Sequence, residues 1–449
     1  PSLVGSEMCI RDRLKMKQLT RLFIPICLET LFYMLSGMVD TLMLSAVGDY
    51  AVGAVGTANS YIGIFIIMFS IISSGMVSVM TQNIGAGRPG VAYQARQLGL
   101  LFNAVAGVLM AVFLFSGAGA ILRMVGIADA LYEPALIYLK IVGGGCILNA
   151  VIPIFSSYLR AFGYTKQPLY ATIVGNIANF VMNAVFLFVL HKGVAGVATA
   201  TVISKILNLC IVLYFSHKLI SAKNSTERIA NKTVLGQIVK VGLPSACETA
   251  LYNVAMMLVI RFLNQMDAEG LNVTARSYTA TISNFSYCVG AALAQANAIM
   301  TGWHIGAGEI EECDRGTKRA AFVGVCVAVC METAIVLGSG FIMPLFTDNP
   351  EMTALVRKLL AIDIVLEIGR VTNLVFGQAL KTSGDAVFPA VIAAVFMFVF
   401  AVGGTWLFGI SMGLMAVGAY IGLASDECVR AVGMVWRWKT GKWRTKKLV

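Results

Sequence analysis

The sequence predicts an all-α integral membrane protein with twelve transmembrane helices in two pseudo-symmetric six-helix lobes and both termini in the cytoplasm. Three observations carry this expectation. Of the 449 residues, 58% are hydrophobic and 13% charged, with a mean hydropathy of +0.80, whereas soluble domains carry about 25% charged residues. Apolar runs of about 20 residues, the length a helix needs to cross a bilayer, recur along the chain. The second half also repeats motifs of the first at a nearly constant distance.

In order, the expected spans are 19–45, 55–82, 93–117, 134–158, 168–190, 194–217, 236–264, 272–302, 317–343, 353–379, 386–409 and 412–436. The connections between them alternate in charge. One side holds Arg11, Arg13, Lys15, Lys17, Arg21, Arg88, Arg96, Arg160, Lys166, Lys218, Lys223, Arg228, Lys232, Lys240, Arg315, Lys318, Arg319, Lys381 and the basic residues from Arg437 onward. The other side holds Arg123, Lys192, Arg357 and Lys358. By the positive-inside rule the first side is cytoplasmic. Residues 14–220 then form the amino-lobe, 221–233 a polar linker, 234–438 the carboxy-lobe and 439–449 a basic tail. Residues 1–13 begin with Pro1, and SLVGSEMCIRDR resembles translated sequencing-adapter read-through, so they are expected to be a leader foreign to the fold.

The repeat is the strongest internal feature. Pro25, Glu29, Thr30 and Tyr33 are matched by Pro244, Glu248, Thr249 and Tyr252, each 219 positions on. QNIGAG at 82–87 returns as WHIGAG at 303–308, and LRAFGYTKQP at 159–168 as LKTSGDAVFP at 380–389, both 221 positions on. An even number of spans per unit gives both halves the same orientation, as in parallel-repeat transporters.

Several function classes are disfavoured. No basic groove with interleaved aromatics appears, so nucleic acid is not an expected partner. The ten cysteines are scattered without a CxxC pair, which supports neither a disulfide framework nor a zinc site. Gly85, Gly87 and Gly90 satisfy GxGxxG but follow a membrane helix, and Glu311 replaces the third glycine in the repeat copy. They read as a turn whose glycines adopt positive φ, as do Gly306 and Gly308. Neither a phosphate-binding GxxxxGK[ST] nor HExxH occurs, so an ATP-driven pump, a membrane hydrolase and a resident cofactor are not expected.

Asp40 lies inside the first apolar run. A carboxylate at the bilayer centre costs about 2.5–3.5 kcal/mol on insertion scales, which marks it as functional. In the fifth span Asn176, Asn179 and Asn183 share one helical face, a stripe that suits either interhelical hydrogen bonding or oxygen ligation of a small cation. Glu367, Arg370 and Asn373 recur at i, i+3 and i+6 in the tenth span, and Asp426, Glu427 and Arg430 gather in the last. Glu332 has no evident role.

Pro25 with Asp40 and Thr41, QNIGAG, LRAFG, the asparagine face and GVAGVATAT at 193–201 together resemble the multidrug and toxic compound extrusion (MATE) family, over nearly the whole chain after Lys17. The resemblance implies two six-helix lobes, no enzymatic activity, and export of amphipathic, often cationic, compounds in exchange for H⁺ or Na⁺ by alternating access. It implies an amino-lobe cation site of Asp40, Asn179, Asn183 and Thr201, with Asn183 where many members have a second Asp. In the carboxy-lobe, Glu248, Tyr252, Glu367, Arg370 and Asn373 are candidates for coupling or gating. Pro25, Pro244 and the paired glycines are assigned to architecture. The protein is expected to work as a monomer in a bacterial cell membrane, its partners being the lipid bilayer and small amphipathic substrates. The alternatives are a lipid-linked oligosaccharide flippase and, of another class, a membrane-embedded enzyme.

Overall fold

Proline and glycine punctuate the two halves at matching places. A computed structural model describes residues 2–125, 127–220, 227–267 and 270–449, with side chains of 2–16, 49, 125 and 345 left aside. The described residues are mostly helical and contain no β-strand. The helices are α1 (Ser2–Ser45), α2 (Asp49–Gly85), α3 (Pro89–Val125), α4 (Asp129–Gly144), α5 (Cys146–Ala161), α6 (Lys166–Ala184) and α7 (Gly193–Leu219). They continue with α8 (Asn231–Met266), α9 (Leu271–Gly306), α10 (Ile310–Ile342), α11 (Pro350–Thr382), α12 (Val387–Phe396) and α13 (Met415–Lys439). Wider π-turns extend α6 over Val185–Val189 and α12 over Met397–Val402 and Thr405–Ser411.

Among the described residues eight helices are long and apolar enough to cross a membrane, or nine if α4 and α5, bent by 42°, form one span. Twelve spans were expected. The three that fall short are α9, α11 and α13, and the reason is chemical. Helix α11 carries Asp363, Glu367 and Arg370, α13 carries Asp426, Glu427 and Arg430, and α9 is rich in hydroxyls and amides. They are the polar helices of the carboxy-terminal half.

The chain divides into two compact units, Ile24–Gly242 and Pro1–Phe23 with Leu243–Val449. The divisions fall inside α1 and α8. Each lies just before one of the repeated prolines, Pro25 and Pro244, where the ring removes a helical hydrogen bond and crowds the preceding turn. Residues 221–226 lie outside the described part. Beyond them Gln94 fixes the chain: its amide donates to the Ile229 carbonyl at 2.7 Å and accepts from the Ile229 N–H at 3.2 Å. Residues 2–13 of the expected leader are helical and continuous with the rest of α1.

In the first unit, small residues let helices approach closely. Ala51, Ala54 and Ala58 of α2, Leu114, Ala118 and Leu122 of α3, Leu139 and Val142 of α4, and Val197 and Ala198 of α7 form its core. The closest approach is between α2 and the start of α8, where a Cβ on Gly242 would stand 1.7 Å from the Ile71 carbonyl oxygen. In the second unit Val259 and Leu263 of α8, Val356, Leu359 and Leu360 of α11, and Ala416, Ala419 and Tyr420 of α13 form the core. Large apolar side chains such as Leu42, Phe322, Leu337 and Phe341 face outward, as a lipid-solvated surface requires.

The repeated turns have one geometry. Gly87 and Gly308 adopt φ of 74° and 77°, and Gly163 and Gly384 adopt 83° and 96°. The N–H groups of Arg88 and Glu309 close on Asn83 and His304 at 2.8 Å, and those of Tyr164 and Asp385 on Leu159 and Leu380 at 2.9 Å. These six-to-one closures with a left-handed glycine satisfy orphan helical carbonyls. Gly85 and Gly306 instead end their helices. The 439–449 tail packs on the second unit rather than standing apart. Trp443 is buried and stacks on Trp438 with centroids 4.1 Å apart, and Arg437 and Lys446 both reach Asp385, at 2.7 and 3.4 Å.

Candidate functional site

In the first unit the half-buried Asp40 of α1 meets the amide face of α6. Asn183 donates through Nδ2 to Asp40 Oδ1 at 2.8 Å and to Asn179 Oδ1 at 3.1 Å. The Asn183 carbonyl oxygen is buried and accepts no hydrogen bond within the described residues. Asn176 leaves the set: one or two turns back on α6 it donates to the Phe32 carbonyl at 2.9 Å. It therefore serves the helix contact, while Asn179 and Asn183 serve the carboxylate. Thr201 Oγ1 donates to Val197 of its own helix at 2.9 Å and lies beside the Tyr138 hydroxyl, as does Asn59. Asn183 thus bridges Asp40 and Asn179, while Thr201 lies beside the Tyr138 hydroxyl, within electrostatic reach of Asp40.

The sequence reading missed a cation here. Lys205, on α7, donates to Asn149 Oδ1 at 2.7 Å and is close enough to Asp40 for their charges to attract. The signal was present, since a lysine stands alone within the apolar run VISKILNL. Tyr138 and Asn59 gave no such signal. The set offers a carboxylate, an unfilled amide oxygen and hydroxyls beside one ammonium group. That is an arrangement able to exchange a proton or take an oxygen-ligated cation.

The repeat separates Asp40 from the other acids. Its counterpart at the 219 offset is Val259, fully buried in the apolar core of the second unit. Glu29 and Glu248, which the repeat does share, form matching ion pairs: Arg160 to Glu29 at 2.6 Å and Lys381 to Glu248 at 2.7 Å. Arg160 and Lys381 are themselves equivalent in LRAFG and LKTSG. Glu248 accordingly ties α8 to α11. Tyr252 is partly exposed and lies near Arg370.

The acids of the second unit gather elsewhere. Arg370 pairs with Glu367 on the same helix and lies 3.8 Å from Glu427 of α13. Glu427 also accepts from Asn373 Nδ2 at 3.0 Å, and Arg430 holds both Asp426 and Glu427 at 2.7 Å. Glu367, Arg370 and Asn373 therefore share one network, as their spacing suggested, and it extends to α13, where Arg430 neutralises Asp426 and Glu427. Glu332 of α10 and Asp363 of α11 complete a buried triad with Glu367 whose carboxylate oxygens lie within 4.8 Å of one another. Asp363 was legible as the i−4 neighbour of Glu367; Glu332 lies on another helix, and only folding brings it there.

A helical membrane protein built from two repeated halves, with charged clusters held inside apolar bundles, has the construction of a secondary transporter. The MatE family model matches residues 25–185 and 244–407, one match in each half, and the chain belongs to that family. It is 32% identical over 428 residues, 94% of each chain, to the uncharacterized transporter YisQ of Bacillus subtilis. It is 20% identical over 446 residues to the probable multidrug resistance protein NorM of Thermotoga maritima, covering 96% of this chain and 94% of the relative. Among solved structures it resembles an outward-facing multidrug resistance MATE family transporter, with a TM-score of 0.83 at 20% identity over 95% and 96% of the two chains. A transporter of the MOP superfamily from Pyrococcus furiosus follows with a TM-score of 0.81 at 20% identity over 96% of each chain.

Proposed function

We propose that the protein is a secondary antiporter that exports amphipathic, cationic organic compounds in exchange for H⁺ or Na⁺ by alternating access, with Asp40 as the coupling group. The observation that carries this reading is the contact of Asp40 with Asn183, which also holds Asn179, inside an apolar bundle, at the position where the internal repeat places Val259. Loading Asp40 with a proton or Na⁺ changes the charge beside Lys205 and the demand on the Asn183 amide, so the ion has differential affinity for any two states that differ in this contact. Differential affinity is what a ligand needs to shift a conformational equilibrium.

The driving force suffices. One charge entering through about 100 mV supplies roughly 2.3 kcal/mol, equivalent to about a 40-fold gradient of a neutral substrate when about 1.4 kcal/mol is tenfold. For a monovalent cation exchanged one for one, the electrical contribution cancels and the ion concentration gradient does the work. The flippase alternative calls for free basic side chains to hold an anionic headgroup. Lys205, Arg370 and Arg430 are instead engaged by Asn149, Glu367 and the Asp426–Glu427 pair, so this alternative is the weaker one.

The test is efflux of a fluorescent organic cation from proteoliposomes under separately imposed pH and Na⁺ gradients, wild type against Asp40→Asn. The proposal expects gradient-driven efflux to fall at least tenfold in the variant while the protein stays folded. Undiminished efflux removes Asp40 from the mechanism.

A further inference from the structure

The two units build one interhelical contact from different chemistry. A Cβ on Gly196 would meet Phe186 at 2.7 Å, and one on Gly418 would meet Phe408 at 2.4 Å. Both pairs are related by 222 positions, which aligns α7 with α13 and makes Glu427 the repeat counterpart of Lys205. Asn149 of α5 corresponds to Arg370 of α11, 221 positions on. In the second unit this contact joins unlike charges, with Arg370 3.8 Å from Glu427. In the first it joins the Lys205 ammonium group to the neutral amide oxygen of Asn149 at 2.7 Å. The charge of Lys205 is therefore not balanced within its own contact, and the acid within its electrostatic reach is Asp40.

A second observation comes from the hydrogen bonds around the cluster. Asp40 Oδ1 and Asn179 Oδ1 both accept from the Asn183 amide, at 2.8 and 3.1 Å, and Asn149 Oδ1 accepts from Lys205. Asn149 Nδ2, beside the Cys146 thiol, is buried and makes no hydrogen bond of acceptable geometry. The ammonium group has three N–H donors, of which Asn149 takes one. Donors are thus in excess, whereas a hard metal ion needs a shell of oxygens with free lone pairs. We propose that Lys205 is the ion-selectivity residue of the Asp40 cluster, a tethered cation that balances Asp40 and keeps metal ions out, so that of H⁺ and Na⁺ the cluster rejects Na⁺. This inference rests on the reading of Asp40 as the coupling group.

The selection works through charge and space. Asp40 and Lys205 together carry no net charge, so a metal ion arriving beside the carboxylate meets the ammonium group inside an apolar bundle, where like charges repel strongly. Lys205 cannot withdraw, because α7 anchors its backbone and Asn149 holds its head. A proton bonds to a single oxygen and needs no coordination shell, so the same lysine leaves it admissible. Without the lysine charge, Asp40 and the unfilled Asn183 oxygen would face an entering cation unopposed.

The experiment is equilibrium binding of ²²Na⁺ to purified protein in detergent. Wild type, Asp40→Asn, Lys205→Met, Lys205→Arg and the double variant Lys205→Met/Asp40→Asn are compared, so that Na⁺ held elsewhere in the protein cancels. The proposal expects equal binding by wild type and Asp40→Asn. It expects at least a tenfold gain in Na⁺ affinity in Lys205→Met, lost again in the double variant, and no gain in Lys205→Arg, which keeps the charge. Na⁺ binding by wild type that Asp40→Asn abolishes overturns the proposal, and this arm needs no Lys205 variant to fold. Folded Lys205→Met that gains no Asp40-dependent binding, or Lys205→Arg that gains as much as Lys205→Met, also overturns it. Undiminished efflux in Asp40→Asn would remove the coupling reading alone, since the binding comparison reads the role of Lys205 separately.

Discussion

Breaking the Glu248–Lys381 pair should damage stability more than transport. The two groups are 2.7 Å apart with side chains 20% and 12% exposed. At an effective dielectric of about 20, the attraction is roughly 6 kcal/mol, most of it offset by desolvation of both ions. Removing one partner of a fully buried pair costs about 3–5 kcal/mol; with partial hydration here, we expect about 2–3 kcal/mol for Glu248→Gln or Lys381→Met. In a lobe of this size that corresponds to a fall of about 5–10 °C in melting temperature. The double variant should lose less than the sum of the single ones, with a coupling of about 1 kcal/mol or more. The same cycle on Glu29 and Arg160, the equivalent pair at 2.6 Å, should give a similar result. The assay is thermal unfolding in detergent, paired with efflux per folded molecule in proteoliposomes. A Glu248→Gln protein of unchanged stability that no longer transports would refute the architectural assignment.

Two further predictions concern packing. Gly242→Ala places a methyl group 1.7 Å from the Ile71 carbonyl oxygen, and backbone on both sides leaves only helix separation as relief. The yield of monodisperse protein should collapse, while Gly236→Ala, with nothing within 4 Å of its Cβ position, should melt within a few degrees of wild type. Trp443→Ala removes a buried ring stacked on Trp438, whose backbone carbonyl accepts from Trp443 Nε1 at 3.0 Å. A loss of about 3–5 kcal/mol is expected locally, read as faster tryptic cleavage at Lys442, Arg444, Lys446 or Lys447 than in wild type.

How far the fold was legible depended on periodicity and repetition. Apolar runs marked the helices, and matching offsets marked Gly87 with Gly308 and Gly163 with Gly384, because a left-handed turn constrains residue type directly. The polarity of α11 and α13 hid in plain view. Their charges lower the apolarity by which spans are recognised, and Arg370 also reaches Glu427 across helices, a contact no linear pattern reveals. Asp40 was legible as a charge out of place, and its asparagine partners as a helical face. Asn176 shared that face without sharing the site, since the face is wider than one carboxylate can use. Lys205 carried the same signal as Asp40. Glu332 acquires meaning only beside Asp363 and Glu367, which lie 31 and 35 positions away in sequence. The unit boundaries inside α1 and α8 escaped notice because a helix that serves two units reads as one continuous run.

The central claim is coupled antiport, and one measurement addresses it directly. Purified protein is reconstituted in liposomes with the membrane potential clamped to zero, and a fluorescent organic cation is supplied at equal concentration on both sides. A pH or Na⁺ gradient is then imposed. The account predicts net movement of the organic cation against its developing gradient, opposite in direction to the ion flow and reversed when the ion gradient is reversed. Movement that only equalises concentrations, whatever ion gradient is imposed, would contradict it.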